Sequence, residues 1–401
     1  MKLIVNSSSL IPPLSGIGRY TQNLLQCLLD IKRQDKSRVE EVRAFNPLRF
    51  YQEHELCRLL ESLNSGSGEF KGQRGLSLRK LTQIRKLFKS VPGASTVKQI
   101  LQKRLLKSKM TMYRESIYWE PNYILQEFDG ISIPTIYDLS HVRYPEFHPA
   151  QRRRWLDDNL MSSLERATAI ITISEFSKKE IINHFSIKKE KISVISPAVA
   201  DDFRYPYNTQ EKAEMRQFYS LPSTFILSVG TLEPRKNIKG LLSAFKSLPE
   251  PLKNAFPLVV VGCAGWLSED VEQIMQPMIK RGQVIRLGYV RQQHLPILFS
   301  AASLFVYVSH YEGYGMPIAE AMCSGVPVIT SNISSMPEVA AGCAKLVNPN
   351  NTDEIASEIQ ELLENTQVRG QLVELAKQKS DSYLWGNSAK KLVDVLQKQR
   401  T

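Results

Sequence analysis

Leu304-Phe-Val-Tyr-Val-Ser-His-Tyr-Glu-Gly-Tyr-Gly-Met-Pro-Ile-Ala-Glu-Ala-Met-Cys-Ser-Gly-Val-Pro-Val-Ile-Thr330 decides how this chain is read. The run Leu304 to Val308 is short and apolar enough for a buried strand of a parallel sheet. A loop with Glu312, Gly313 and Gly315 follows, and its glycines let backbone N–H groups approach a ligand closely. Pro317 suits the first turn of a helix, where its missing N–H is not needed. That helix carries Glu320 and stops near Gly325, ahead of a second strand at Val328. Strand, glycine loop and helix start together predict an anion site at the carboxyl edge of a doubly wound sheet. Glu312 and Glu320, eight residues apart, flank that site. Taken alone, the pair reads first as two surface acids on a tight βα turn.

Working outward, Thr224-Phe-Ile-Leu-Ser-Val-Gly230 is another apolar strand, and Gly230-Thr-Leu-Glu-Pro-Arg-Lys-Asn237 is a loop before a helix through Leu241, Leu242 and Phe245. Adjacent Arg235 and Lys236 at a strand end suit two phosphates, the guanidinium as a fork and the ammonium as a point charge. Further strands are expected at Leu258–Val261 and Val284–Leu287, the latter running into Gly288-Tyr-Val290. This alternation predicts a doubly wound domain.

The first half repeats the theme. Leu3-Ile-Val is a strand, and Gly16 and Gly18 precede a helix through Tyr20, Leu24, Leu25 and Leu28. Such a loop could approach phosphate or sugar, or be only a tight turn, since the third glycine of the dinucleotide fingerprint is missing. Downstream, Ile133-Pro-Thr-Ile-Tyr-Asp-Leu-Ser-His-Val-Arg-Tyr-Pro-Glu-Phe-His148 ends a strand in a polar loop that sets Asp138, His141 and His148 toward a cleft. Strands at Ala169–Ile173 and Lys191–Ser196 complete this half. The expected fold is α/β, with a domain over 1–200, a linker over 201–222, a second domain over 223–380 and a C-terminal helix over 381–401 that crosses back.

A chain of 401 residues has room for about two such domains. Its 42% hydrophobic content is ample for two cores, and no stretch approaches the roughly 20 apolar residues of a membrane span. The N-terminus reads as a first strand, not a signal peptide. Five scattered cysteines form no metal or redox pair and are expected to be buried, reduced and cytosolic.

The net charge of +12 is local: Lys71 to Arg114 holds thirteen Lys and Arg and no acid, which leaves the rest near −1. Within it Val97, Ile100, Leu101 and Leu105 make an apolar helical face beside Lys98, Lys103, Arg104 and Lys107. Basic amphipathic helices bind anionic membrane surfaces at about 1 kcal/mol per charge. A solvated face is the plainer alternative. Nucleic acid is a third, and no nucleic-acid motif accompanies the charge.

Together these residues resemble the retaining, nucleotide-sugar-dependent glycosyltransferases with two Rossmann-like domains facing across a cleft, the GT-B fold. The matching pieces are Ser15-Gly-Ile-Gly-Arg-Tyr20, Gly230 to Asn237, Leu287-Gly-Tyr-Val290, Tyr311 to Met322, Gly325-Val-Pro-Val-Ile329 and Met336-Pro-Glu-Val339. Glu-Pro-Arg-Lys-Asn237 and Tyr137-Asp-Leu-Ser-His141 carry a narrower likeness to bacterial mannosyltransferases of O-antigen and polysaccharide assembly. The resemblance implies GDP-mannose as donor, a lipid-linked saccharide as acceptor, no metal or other cofactor, and a peripheral place on the inner face of the cytoplasmic membrane. It casts Glu312 as facing the donor sugar, Glu320 as holding the ribose, and Arg235 and Lys236 as neutralising the leaving diphosphate. Backbone at Gly313, Tyr314, Gly315 and Met316 would bind sugar or diphosphate, Gly16 and Gly18 would close from the other domain, and main chain at Tyr289 and Val290 would read the base. Many relatives have His-Asp where this chain has Tyr137-Asp138, so either Asp138 and His141 share that role or the His is dispensable here. An inactive scaffold with a transferase fold is the rival reading, and the presence of Arg235, Lys236, Glu312 and Glu320 stands against it.

Overall fold

Two parallel sheets carry the molecule, one in each half of the chain. The computed structural model describes residues 1–12, 14–47, 49–64, 106–265 and 269–400. The first sheet runs β3-β2-β1-β4-β5-β6-β7, with β1 at Lys2–Asn6, β2 at Glu41–Asn46, β3 at Arg49–Tyr51, β4 at Ile117–Glu120, β5 at Ser132–Ile136, β6 at Ile170–Thr172 and β7 at Ile192–Val194. All its pairs are parallel except β2 with β3, a hairpin at the edge. The second sheet runs β10-β9-β8-β11-β12-β13 and is parallel throughout. Its strands are β8 Ile226–Val229, β9 Leu258–Val261, β10 Val284–Gly288, β11 Leu304–Tyr307, β12 Val328–Ser331 and β13 Lys345–Val347.

The apolar runs are short because these strands are covered on both faces, and β4, β5, β9, β11 and β12 are buried at every position. In both sheets the strand order reverses beside the first strand of the half, between β1 and β4 and between β8 and β11. Ligands of such sheets bind outside the carboxyl ends of the strands at that reversal.

Residues 201–222 are more than a connection. Asn208 and Glu211 form a reciprocal capping box that starts the helix Thr209–Phe218, and this helix packs on the helix Leu295–Ala301 of the second half. The crossing itself is tied down where Val199 N donates to Tyr383 O at 3.0 Å. Past Tyr383 the helix Trp385–Lys398 returns to the first domain and packs on the helix Gly16–Gln34. There Ser388 Oγ donates to Ser196 O at 2.7 Å, and Trp385 meets Tyr20 edge-on at 6.0 Å.

The cysteines are free thiols, yet burial is not their common state: Cys343 is buried, Cys263 is exposed, and Cys27, Cys57 and Cys323 lie between. Among the described residues no helix is long and apolar enough to cross a membrane. Lys98, Lys103 and Arg104 lie outside the described residues. Lys107 is described, and its ammonium pairs with Glu127 at 2.9 Å on the surface, so an acid from outside the basic segment answers it.

Candidate active site

β8 ends at Val229, and the loop beyond it is shaped by Pro234 and Asn237. Pro234 opens a 3-10 turn over Pro234–Lys236, and Asn237 closes it in the left-handed region at φ 53°. The Asn237 side chain then caps the next helix at Gly240 N and donates to Pro349 O at 2.8 Å. Those bonds fix the turn that presents Arg235 and Lys236.

On the other side of the strand-order reversal β11 delivers Glu312. Ser334 Oγ accepts from Glu312 N at 2.9 Å, and Ser335 Oγ donates to Tyr314 O at 2.8 Å, so the loop after β12 clamps the loop after β11. Gly315 has φ 101°, a conformation that only glycine adopts without strain, and it caps the helix Met316–Cys323 with Pro317 in its first turn. Among the described residues, the N–H groups of Gly313, Tyr314 and Gly315 have no protein acceptor.

The two loops meet as one buried ion cluster. Glu312 Oε1 accepts from Lys236 Nζ at 2.7 Å and from Tyr307 OH at 2.7 Å, while Oε2 accepts from Arg235 Nη1 at 2.9 Å. Arg235 Nη2 also bonds Glu233 Oε1 at 2.8 Å. Two cations and two carboxylates therefore cancel. Arg235 and Lys236 suit two phosphates by sequence, and in this structure both are paired with carboxylates. Burial alone would raise the Glu312 carboxyl, but Arg235 and Lys236 outweigh it and hold the group at about 2. Burial presses the Arg235 guanidinium down, and Glu312 and Glu233 push it well above its ordinary value. For Lys236, burial and Arg235 press the ammonium down, and Glu312 at 2.7 Å works against them. Removing one partner of such a buried set typically costs about 3–5 kcal/mol. Glu233 and Tyr307 were not singled out from sequence: one looks like an ordinary loop acid, the other like a core aromatic.

Glu320 is buried without a side-chain partner among the described residues, and burial raises it to about 7, with Arg19 of the first domain pulling the other way. Val290 is buried and Tyr289 is 66% exposed, both just past the end of β10. Met316 opens the helix and Tyr314 is buried beneath it.

The first domain closes on this site through the loop after β5 and the helix Glu175–Phe185. Ser174 caps that helix, and its hydroxyl donates to Gly313 O at 2.7 Å. Glu338 of the second domain accepts from Glu175 N at 2.9 Å and Phe176 N at 3.2 Å, and Tyr311 OH donates to Glu180. Leu139 N in turn donates to Tyr311 OH at 3.1 Å. Gly313 is therefore pressed against the opposite domain: a Cβ there would lie 2.6 Å from Tyr137 O.

Some expected roles move. Tyr137 turns its hydroxyl inward to Pro121 O at 2.8 Å and packs edge-on against Tyr20. Asp138 Oδ1 accepts from Ser140 N at 3.0 Å and Ser140 Oγ at 2.7 Å, so one oxygen of its carboxylate is engaged by the first residue of the short helix Ser140–Arg143. His141 is buried in the first domain against Tyr123, and its charged neighbours Asp138, Asp157, His148 and Arg152 all belong to that domain. Gly16 and Gly18 lie inside the helix Gly16–Gln34, not in a loop ahead of it, and Ser15 is its cap. Gly18 is needed for packing, since a Cβ would lie 2.6 Å from Ser9 O, whereas Gly16 meets open space. Among the described residues no cluster of three or more His, Cys, Asp or Glu could hold a metal ion.

Two Rossmann-like domains closing on a charged switch point define the GT-B class of glycosyltransferase folds. Solved structures agree: WaaG, described as a glycosyltransferase of lipopolysaccharide biosynthesis, aligns with TM-score 0.66 at 15% identity over 98% of this chain and 99% of its own. HepE of Anabaena, solved with UDP-glucose, aligns with TM-score 0.68 at 18% identity over 99% of this chain and 100% of its own. In sequence, the family model for glycosyl transferases group 1 matches residues 211–379. O-antigen chain mannosyltransferase B of Escherichia coli is 31% identical over 98% of this chain and 99% of its own length. O-antigen chain mannosyltransferase RfbU of Salmonella typhimurium is 31% identical over 54% of this chain and 56% of its own. The chain belongs to the group 1 glycosyl transferases and is a glycosyltransferase.

Proposed function

We propose that this enzyme transfers a mannosyl residue, with retention, from GDP-mannose to a lipid-linked saccharide in O-antigen or related polysaccharide synthesis. The observation that carries this reading is the Arg235–Lys236–Glu312 cluster at the β8/β11 reversal, in a chain parallel over nearly its whole length to an O-antigen chain mannosyltransferase. Arg235 and Lys236 suit the leaving diphosphate, and Glu312 suits the positive charge that grows on the sugar as the glycosidic C–O bond breaks. The acceptor hydroxyl attacks from the face the diphosphate leaves, forms the new C–O bond and gives its proton to a diphosphate oxygen, so the anomeric configuration is kept. Asp138 borders this face through Gly313. Two protein cations replace the charge a metal would supply. A peripheral site on the inner face of the cytoplasmic membrane fits a lipid-linked acceptor and the basic segment 71–114.

Thermal-shift titration with GDP-mannose, UDP-glucose, UDP-GlcNAc and ADP-glucose tests the donor, because stabilisation grows as RT ln(1 + [L]/Kd). GDP-mannose should stabilise most, and NMR of the product should show the donor's anomeric configuration. A response to a UDP- or ADP-sugar with none to GDP-mannose would overturn the donor assignment.

A further inference from the structure

Tyr311 stands immediately before Glu312, yet its side chain is housed by the opposite domain. It is 3% exposed, and its ring lies against two rings of the first domain, Tyr144 tilted at 5.5 Å and Phe176 edge-on at 5.7 Å. The hydroxyl is bonded twice: it accepts from Leu139 N at 3.1 Å and donates to Glu180 Oε2. Glu180 is buried as well, and its other oxygen accepts from Arg143 Nε at 2.6 Å.

The main chain of the same residue faces the ion cluster. Tyr311 O accepts from Arg235 Nη1 at 2.8 Å, and that nitrogen also donates to Glu312 Oε2 at 2.9 Å. One residue earlier, His310 N donates to Arg235 O at 2.9 Å. An unbroken line of bonds therefore runs from Glu180 through Tyr311 to Arg235 and Glu312. The bonds that Ser174 and Glu338 make between the domains end differently, on the main chain of Gly313, Glu175 and Phe176. A phenolic hydroxyl on a carboxylate is a strong, directional bond, and accepting from Leu139 strengthens what Tyr311 donates. Held at its tip by one domain and at its carbonyl by Arg235, Tyr311 passes closure of the domains on to the guanidinium and to Glu312.

We propose that Glu180 is a positioning residue for the transfer reaction: through Tyr311 it sets Arg235 and Glu312 in register when the domains close. This rests on the reading of Arg235 and Glu312 as the groups that face the diphosphate and the sugar. Release of GDP from GDP-mannose by transfer to water, beside calorimetric binding of GDP, tests it in the full chain. Tyr311→Phe and Glu180→Ala should each lower kcat on the order of tenfold, the effect of one hydrogen bond to a charged group, and leave GDP affinity within about twofold. Glu180→Gln keeps an oxygen acceptor for the hydroxyl and should recover most of the rate. Combining Tyr311→Phe with Glu180→Ala should slow the enzyme no further than about twofold beyond either change alone, as for two ends of one bond. A lower melting temperature with unchanged kcat, losses that simply add, or a Glu180→Gln variant as slow as Glu180→Ala overturns the positioning role and leaves the transferase reading intact. Wild-type protein that neither binds GDP nor releases it from GDP-mannose overturns both.

Discussion

Lys236 Nζ and Glu312 Oε1 lie 2.7 Å apart, joining two loops separated by 76 residues of sequence. With Arg235 on the other carboxylate oxygen, Glu312 occupies the charge that a diphosphate would take. Under the proposed function, an arriving diphosphate would compete with a buried carboxylate for both cations. Glu312→Gln should raise the affinity for the free nucleoside diphosphate about tenfold, because one buried negative charge is gone. The same variant should lose turnover on the order of 100-fold or more, since nothing then balances the charge growing on the sugar. Calorimetry and steady-state kinetics read the two effects separately, and a parallel fall in both would refute the competition.

Lys236→Ala should also cut turnover severely, with the chain still folded, because Glu312 keeps Arg235 and Tyr307 as partners. Circular dichroism beside the transfer assay checks this.

Glu320 should make donor binding depend on pH. Its folded-state pKa, raised by burial to about 7, lies above the ordinary carboxylate value. The stability this group contributes is present at acid pH and is lost as pH rises through about 7. Ribose hydroxyls held by Glu320, as the family resemblance implies, would donate to the ionised form, so donor affinity should climb across that same window. Binding measured between about pH 6 and pH 8 should flatten in Glu320→Gln, and that variant should melt higher than wild type at about pH 8.

Gly313→Ala tests whether the closed contact between domains is the working one. A methyl group there would meet Tyr137 O at 2.6 Å and Asp138 Cβ at 2.9 Å, both anchored in the opposite domain. The domains would have to part by a fraction of an ångström or more. Turnover should fall on the order of 100-fold, as for other small misplacements of reacting groups. Small-angle scattering should show a larger radius of gyration with unchanged secondary structure.

Transfer should keep its full rate in excess EDTA, with Arg235 and Lys236 carrying the diphosphate charge. A rate restored only by added magnesium or manganese would refute the metal-independent reading.

Much of this arrangement could be read from residue order, because parallel strands buried on both faces appear as compact apolar runs such as Leu258–Val261 and Leu304–Tyr307. Arg235, Lys236 and Glu312 were also legible as charged groups at strand ends. Their mutual pairing was not, since it depends on β8 and β11 being neighbours in the sheet. Glu233 and Tyr307 were hidden for the same reason. His141 and His148 lie in one polar loop and look equivalent in sequence. The short helix Ser140–Arg143 buries the first against Tyr123, and the 3-10 turn Pro145–Phe147 leaves the second half-buried. The helix Thr209–Phe218 had a visible start in Asn208-Thr-Gln-Glu211, but the composition around it reads as a linker.

The return of the helix Trp385–Lys398 to the first domain means that the chain passes between the domains twice, once near Val199 and once near Tyr383, and the two passages are bonded to each other. A pair of domains held by adjoining straps cannot slide or twist freely. Any parting of the domains has to start from these straps, and it would break the bond from Ser174 Oγ to Gly313 O.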